Sequence, residues 1–367
     1  MGDVSLNPMQ RLFPLALSAS LLTTGAIART AVAQPSLEVV AELQQAPGNL
    51  TVTPDGQLIM SLHQFYNPPY PVAEYDNGAI APLLPQSNSP VSASVLGLLS
   101  DSTGIVWLLD NAMGSDRPPQ LVGWNTQQNT LHKTISLADV TPAGSFINDL
   151  RIDETTQTAF ITDPAGGDNA ALIVVDLEAG TAKRVLEGHY SVTPEPIDLF
   201  VEGNPLLRRT EERTYQRPQV GVDAIAMDAN NEWLYYGALH GTSLYRIRTA
   251  DLRDGSLSAA ELASRVEKYA DKPICDGILM DGAGNIYLGE LAANAIGVIT
   301  PEREYRRLIE DPRLSWVDDF EFSADGQTIY AVTNRLHLSA PLNAGVESGT
   351  PPFYIFAFKP LAPRTQP

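Results

Sequence analysis

A single cysteine, Cys275, stands in 367 residues, so no intrachain disulfide can form. It opens a short apolar run with no basic neighbour in sequence and is read as a small buried residue rather than a reactive thiol. Basic residues are also scarce. Lys and Arg number 24 against 43 Asp and Glu, a formal net charge of -19. A chain so acidic repels nucleic acid and anionic lipid and attracts metal ions or protonated amines, although the same charge also serves plain solubility. The five histidines do not cluster. G-x-S-x-G, P-loop, G-x-G-x-x-G, C-x-x-C and H-E-x-x-H signatures are all missing, which leaves serine-nucleophile, nucleotide and zinc-protease chemistry without support.

Long apolar runs are missing too. Arg11 precedes a mostly apolar stretch over 12–27, followed by Ala31-Val32-Ala33 ahead of Gln34. That is the pattern of a secretory signal with an A-x-A cleavage site, and it is too short and too polar for a retained span. Residues 1–33 are therefore expected to be a signal peptide. The mature protein is expected to be secreted or periplasmic, with no membrane span and no nucleic-acid partner.

What remains is punctuated by 27 Gly and 28 Pro with little helical periodicity, which indicates many short strands. One unit repeats six times: an apolar strand, a D-x-x-G-like turn, and a second strand rich in aromatic and β-branched residues. Its copies are LTVTPDGQLIMSL (50–62), VLGLLSDSTGIVWLLD (95–110), INDLRIDETTQTAFITD (147–163), VDAIAMDANNEWLYYGAL (222–239), CDGILMDGAGNIYLGEL (275–291) and VDDFEFSADGQTIYAVTN (317–334). Further strand-like sequence follows each copy. Four strands per unit and six units predict an all-β fold, a six-bladed β-propeller, as one domain over 34–367. The sixth unit has only one clear later strand, 353–358, so the segment 37–43 is expected to supply the missing one and close the ring. Residues 187–219 are a long insertion, rich in Pro and charge, expected over one face of the ring. Ser258 followed by Glu261 is a capping box, and Leu262, Val266 and Tyr269 share a face, which predicts a short helix outside a blade.

Aligning the six hairpins exposes a polar row. Five residues before the turn anchors Asp153, Asp228, Asp281 and Ser323 stand Asn148, Asp223, Asp276 and Asp318. The first strand of a propeller blade lines the central channel, so these four are expected to converge at one mouth. The ends of the second strands supply rim candidates: His63, Asp110 with Asn111, Asp163, Glu290 and Asn334. Such a ring can hold a hard cation such as calcium, which takes about 6 to 8 oxygens. It can equally bind an amine or act as general acid and base. A hydrated channel whose polar residues merely cap strand ends is the third reading.

The stretches SLHQFYNP (61–68), FINDL (146–150), FITD (160–163), LYYGAL (234–239) and TNRL (333–336) resemble the major royal jelly and yellow protein family, in the bacterial form called dopachrome-tautomerase-related. The resemblance runs over essentially the whole mature chain and implies a six-bladed propeller. It also implies functions as different as pigment-pathway chemistry on dopachrome, nutritive secretion, and binding of biogenic amines in the central cavity. The cysteine pairs of many animal members are missing here. The ring is also similar to the senescence-marker and gluconolactonase family, in which an axial divalent metal supports lactone hydrolysis. Asn148, Asp223 and Asp276 would be the ligands in that reading, but the first-blade Glu has no match in Ala46-Pro47-Gly48-Asn49.

Three readings therefore stand. The first is a monomeric binder of a small cationic or phenolic molecule at Asn148, Asp223, Asp276 and Asp318, with His63, Asp163, Glu290 and Asn334 at the rim. It needs no cofactor, and any catalysis would be tautomerase-like, with Asp276 or Asp223 as base. The second is a calcium-dependent lactonase, and the third a scaffold acting through residues 187–219.

Overall fold

The computed structural model describes residues 35–210 and 212–364. The expected signal peptide lies outside them. Among the described residues no helix is long and apolar enough to cross a membrane.

Six four-stranded antiparallel sheets follow one another along the chain. Blade 1 comprises Pro47–Val52, Leu58–Leu62, Val72–Asp76 and Ala79–Pro82; blade 2 comprises Val95–Ser100, Ile105–Asp110, Gln120–Asn125 and Thr130–Ser136. Blade 3 runs through Leu150–Asp153, Thr158–Asp163, Ala171–Asp176 and Thr181–Val185, and blade 4 through Val222–Met227, Trp233–Ala238, Ser243–Arg248 and Glu267–Asp271. Blade 5 holds Cys275–Met280, Ile286–Glu290, Ala295–Ile299 and Tyr305–Glu310. Blade 6 takes Val317–Phe322, Ile329–Thr333 and Phe353–Phe358 from the end of the chain and Glu38–Leu43 from its beginning, as the strand count required. The first strands pack against one another round the ring, and the first strand of blade 1 meets that of blade 6.

The turn chemistry explains why the hairpin recurs. In blade 5, Asp281 accepts backbone N–H bonds from Ala283 (3.0 Å) and Asn285 (2.9 Å), while Gly284 takes the positive φ of 85° that the tight return demands. Each apolar face then needs a neighbour. Leu109 and Trp107 of blade 2 pack with Ile147, Leu150 and Ile161 of blade 3; Phe320 and Phe356 of blade 6 pack with Tyr287 and Val298 of blade 5. A comparable cluster fills each of the other four seams, so the core is a ring of six interfaces between blades.

The helix prediction needs one correction. Ser258 and Glu261 do form the capping box, but the helix is only Ala259–Ala263. Tyr269 lies instead in Glu267–Asp271, the outer strand of blade 4, because pairing with Ser243–Arg248 outweighs a weak helical pattern.

The insertion forms two small ribbons, Phe200–Val201 with Asn204–Pro205 and Arg208–Arg209 with Tyr215–Gln216. It crosses the ring. Leu207 donates its N–H to Leu342 O (2.9 Å) and accepts from Ala344 N (2.7 Å), both in the loop of blade 6 that precedes its third strand. Beneath it, Leu199, Val201 and Leu206 pack on Leu239 of blade 4, Leu291 just past the second strand of blade 5, and Trp316 and Leu336 of blade 6. Glu202 fixes the tip by accepting from Ser315 Oγ (2.6 Å) and Asn294 Nδ2 (3.1 Å).

Candidate functional site

A β-bulge at the start of each blade's first strand builds the site. In blade 5, Cys275 pairs with Glu290 and Ile278 with Leu288, so Asp276 and Gly277 together oppose the single residue Gly289. The same two-against-one slip recurs in blades 1, 2, 4 and 6, and in blade 3 Thr162 bonds to both Asn148 N (3.0 Å) and Asp149 O (2.9 Å). A bulge re-aims side chains that regular alternation would send to opposite faces. Two consecutive positions per blade are therefore turned toward the axis. One row is Gly48, Leu96, Asn148, Asp223, Asp276 and Asp318, and the other is Asn49, Gly97, Asp149, Ala224, Gly277 and Asp319. Where the second row holds glycine, the neighbouring blade comes close: Gly97 N donates to Asn148 O (2.8 Å), and a Cβ on Gly277 would collide with Asp318 O.

The carboxyls of both rows and Asn49 are buried, Asn148 is half-buried, and these side chains are bound mainly to one another. Asn148 Nδ2 donates to Asp223, Trp316 Nε1 to Asp276 Oδ2 (2.7 Å) and Asn334 Nδ2 to Asp318 Oδ2 (2.5 Å). In the second row, Asn49 Nδ2 donates to Asp149 Oδ1 (2.6 Å) and Leu50 N to Asp319 Oδ2 (3.1 Å). The counter-charges are few. The Arg151 guanidinium donates to Leu150 O (2.8 Å) and Ile278 O (3.1 Å) and stands 3.9 Å from Asp319, while Lys272 Nζ binds the carbonyls of Ala238 (3.0 Å) and Gly241 (2.8 Å).

Five carboxyls in so dry a place resist ionisation. Burial, reinforced by their neighbours' charges, pushes Asp149 and Asp319 up to about 7 and Asp318 up to about 8. Burial likewise carries Asp223 and Asp276 well above the ordinary carboxylate range, with Asp276 adding to Asp223 and Asp318 to Asp276. Asp276 and Asp318 raise the cost of ionising each other and are placed to share one proton between them. Near neutral pH the cluster is a store of shared protons.

Above the carboxyls opens a cavity of about 680 Å³. Its floor includes Asn148, Asp223, Asp276 and Asp318; Phe65, Met113 and Phe146 contribute apolar wall; Leu206, Arg208 and Arg217 come from the insertion. His63 also lines it. Its Nδ1 accepts from Phe65 N (3.2 Å), which leaves the ring proton on Nε2, and burial lowers its pKa to about 3, so the ring is neutral.

The other rim candidates have a different task. Asp110, Asp163 and Asn334 each accept the backbone N–H two residues on, from Ala112 (3.0 Å), Ala165 (3.1 Å) and Leu336 (3.1 Å), as His63 does from Phe65. The repeated polar residue at this position is a clamp that turns the chain out of the second strand. Asp163 also holds Phe146 N (2.8 Å), Ser145 Oγ (2.6 Å) and Arg184 (2.5 Å), and so stands behind the cavity wall without lining it. Glu290 pairs with Arg307 (2.8 Å) and Tyr305 Oη (2.6 Å), and does not line it either. Asn334 sits behind Asp318. The structure thus gathers Asn148, Asp223, Asp276, Asp318 and His63, and leaves Asp163 and Glu290 outside.

The trio Asn148, Asp223 and Asp276 does not fit a metal as it is arranged. Asn148 turns its NH2 group on Asp223, Asp276 is engaged by Trp316 and Asp318, and the first-blade position is Gly48, whose missing Cβ would stand 2.7 Å from Ser61 Oγ. Among the described residues no group of three acidic, His or Cys side chains could hold a metal ion.

Several solved structures share the architecture. Regucalcin from Agrobacterium tumefaciens, a calcium-binding protein, superposes with a TM-score of 0.59 at 13% identity, covering 91% of this chain and 98% of its own. A gluconolactonase from Xanthomonas campestris gives 0.57 at 11% identity, covering 89% and 90%, and a luciferin-regenerating enzyme 0.55 at 11%, covering 90% and 98%. At such identities the likeness establishes the fold alone. No curated protein matches the sequence. Residues 93–346, however, match the sequence profile described as major royal jelly protein, and this chain, bulged propeller and all, belongs to that family.

Proposed function

We propose that the axial cavity binds a small molecule bearing a protonated amine on an apolar, aromatic body. The observation that carries this is the convergence of Asp223, Asp276 and Asp318 on the floor of a cavity walled by Phe65, Phe146 and Met113. Burial, together with their mutual repulsion, favours the protonated form of these carboxyls. An ammonium in their midst replaces those protons as the counter-charge, while its ring lies against the apolar wall.

This exchange is measurable. At pH 7.5, calorimetric titration with an arylalkylamine in buffers of different ionisation enthalpy should show proton release on binding, because the ligand draws the carboxyls back toward their ordinary range. Asp276→Asn should weaken the binding at least tenfold. A neutral isostere binding as well as the amine, or an amine that neither binds nor raises the melting temperature, overturns the proposal.

The same carboxyls, raised by burial and by one another's charge, suit proton transfer, since a carboxyl so raised is a stronger base once ionised than an ordinary one. A bound phenolic or enolisable ligand with an acidic C–H would lose that proton to Asp276 or Asp223 and regain one elsewhere, a tautomerase-like turnover consistent with the family resemblance.

A further inference from the structure

The roof of the cavity is basic where its floor is acidic. The insertion ribbon carries Arg208 in register with Gln216, and Arg208, Gln216 and Arg217 all line the cavity that ends below in Asp223, Asp276 and Asp318. Arg217 is already engaged by Asp198 and lies over the Phe200 ring at 5.4 Å. Arg208 is exposed and forms no ion pair among the described residues. Its place is nonetheless held, because its neighbour Leu207 is bonded on both sides to the blade 6 loop.

We infer that the ligand is amphoteric, with an ammonium at one end, a carboxylate at the other and an apolar body between, spanning from the axial carboxyls to Arg208. This rests on the amine reading above and adds the second charge. The cavity's size sets the class: 680 Å³ is about 11 Å across if taken as a sphere, so a molecule that fills it and meets both the carboxyls and Arg208 carries its two charges on either side of an apolar body. An α-amino acid, whose two charges share one carbon, is too short. An aryl-spaced amino acid has the right length. The planar fork of Arg208 suits a carboxylate, and burial of the floor strengthens the contact of the ammonium with the carboxyls.

The test compares 4-(aminomethyl)phenylacetate with 4-methylbenzylamine, which has the same ring and amine without the carboxylate. Calorimetry on the full chain should give the amphoteric probe at least tenfold tighter binding. Arg208→Gln should bring the ratio of the two affinities to about one, and Arg208→Lys should restore part of it; thermal melts of both variants establish that they fold. If the amine binds and the carboxylate adds nothing, or the ratio survives Arg208→Gln, the second charge is refuted while the amine site stands. If neither probe binds, the amine reading fails and this inference with it.

Discussion

Asp318→Asn is the most informative single change. In the folded protein burial holds the Asp318 carboxyl at about 8 against 3.8 for the unfolded chain. A folded pKa raised above the unfolded one contributes stability that is complete below the unfolded value and disappears as pH rises through the folded value. The wild-type protein should therefore weaken between about pH 4 and pH 8 on account of this group. At 1.36 kcal/mol per unit the full difference would be about 6 kcal/mol, and sharing of the proton with Asp276 reduces this to about 2–3 kcal/mol. The amide cannot ionise, can donate to Asp276 where the shared proton was, and can still accept from Asn334 Nδ2. The variant should match the wild type within about 1 kcal/mol at pH 5 and exceed it by about 2–3 kcal/mol at pH 8, a gain of roughly 4 °C in melting temperature. Melts at pH 5, 6, 7 and 8 decide it. A difference that does not grow with pH, or a variant weaker than wild type at pH 8, would show that Asp318 is ionised and compensated in the fold.

Two further changes separate architecture from site. Gly277→Ala should destabilise the ring by about 3 kcal/mol or more, because the added methyl meets the Asp318 carbonyl across the blade 5–blade 6 seam; denaturant unfolding reads the loss, and an unchanged midpoint would refute the close approach. Glu290→Gln weakens only a partly exposed pairing with Arg307, so stability should shift by less than about 1 kcal/mol and amine binding should not change; altered affinity would place Glu290 in the site after all.

The period of the hairpins, their D-x-x-G turns and the shortage of strands in the last unit make the six blades and their closure legible in the sequence itself. Asn148, Asp223, Asp276 and Asp318 were legible for the same reason, since they keep a fixed distance from each turn. Asn49, Asp149 and Asp319 were not, because strict alternation puts neighbours on opposite faces and only the bulge overrides it. The doublets Asn148-Asp149 and Asp318-Asp319 were the one visible trace. Asp163 and Glu290 misled because a carboxylate that clamps a loop or pairs with an arginine looks, in sequence, like one that meets a ligand. Trp316 and Arg208 gave no sign, since their roles depend on loops crossing between blades.

The closure of blade 6 has a kinetic consequence. Glu38–Leu43 is made first and Phe353–Phe358 nearly last, and the two pair in the finished ring. Bringing ends so distant together costs roughly 5 kcal/mol of loop entropy, recovered only when the final strand docks. A chain growing from its N-terminus therefore keeps its first strand unpaired until synthesis is almost complete. Local blades can collapse early, but the axial carboxyls meet only when the circle shuts, which makes assembly of the site one of the last events in folding.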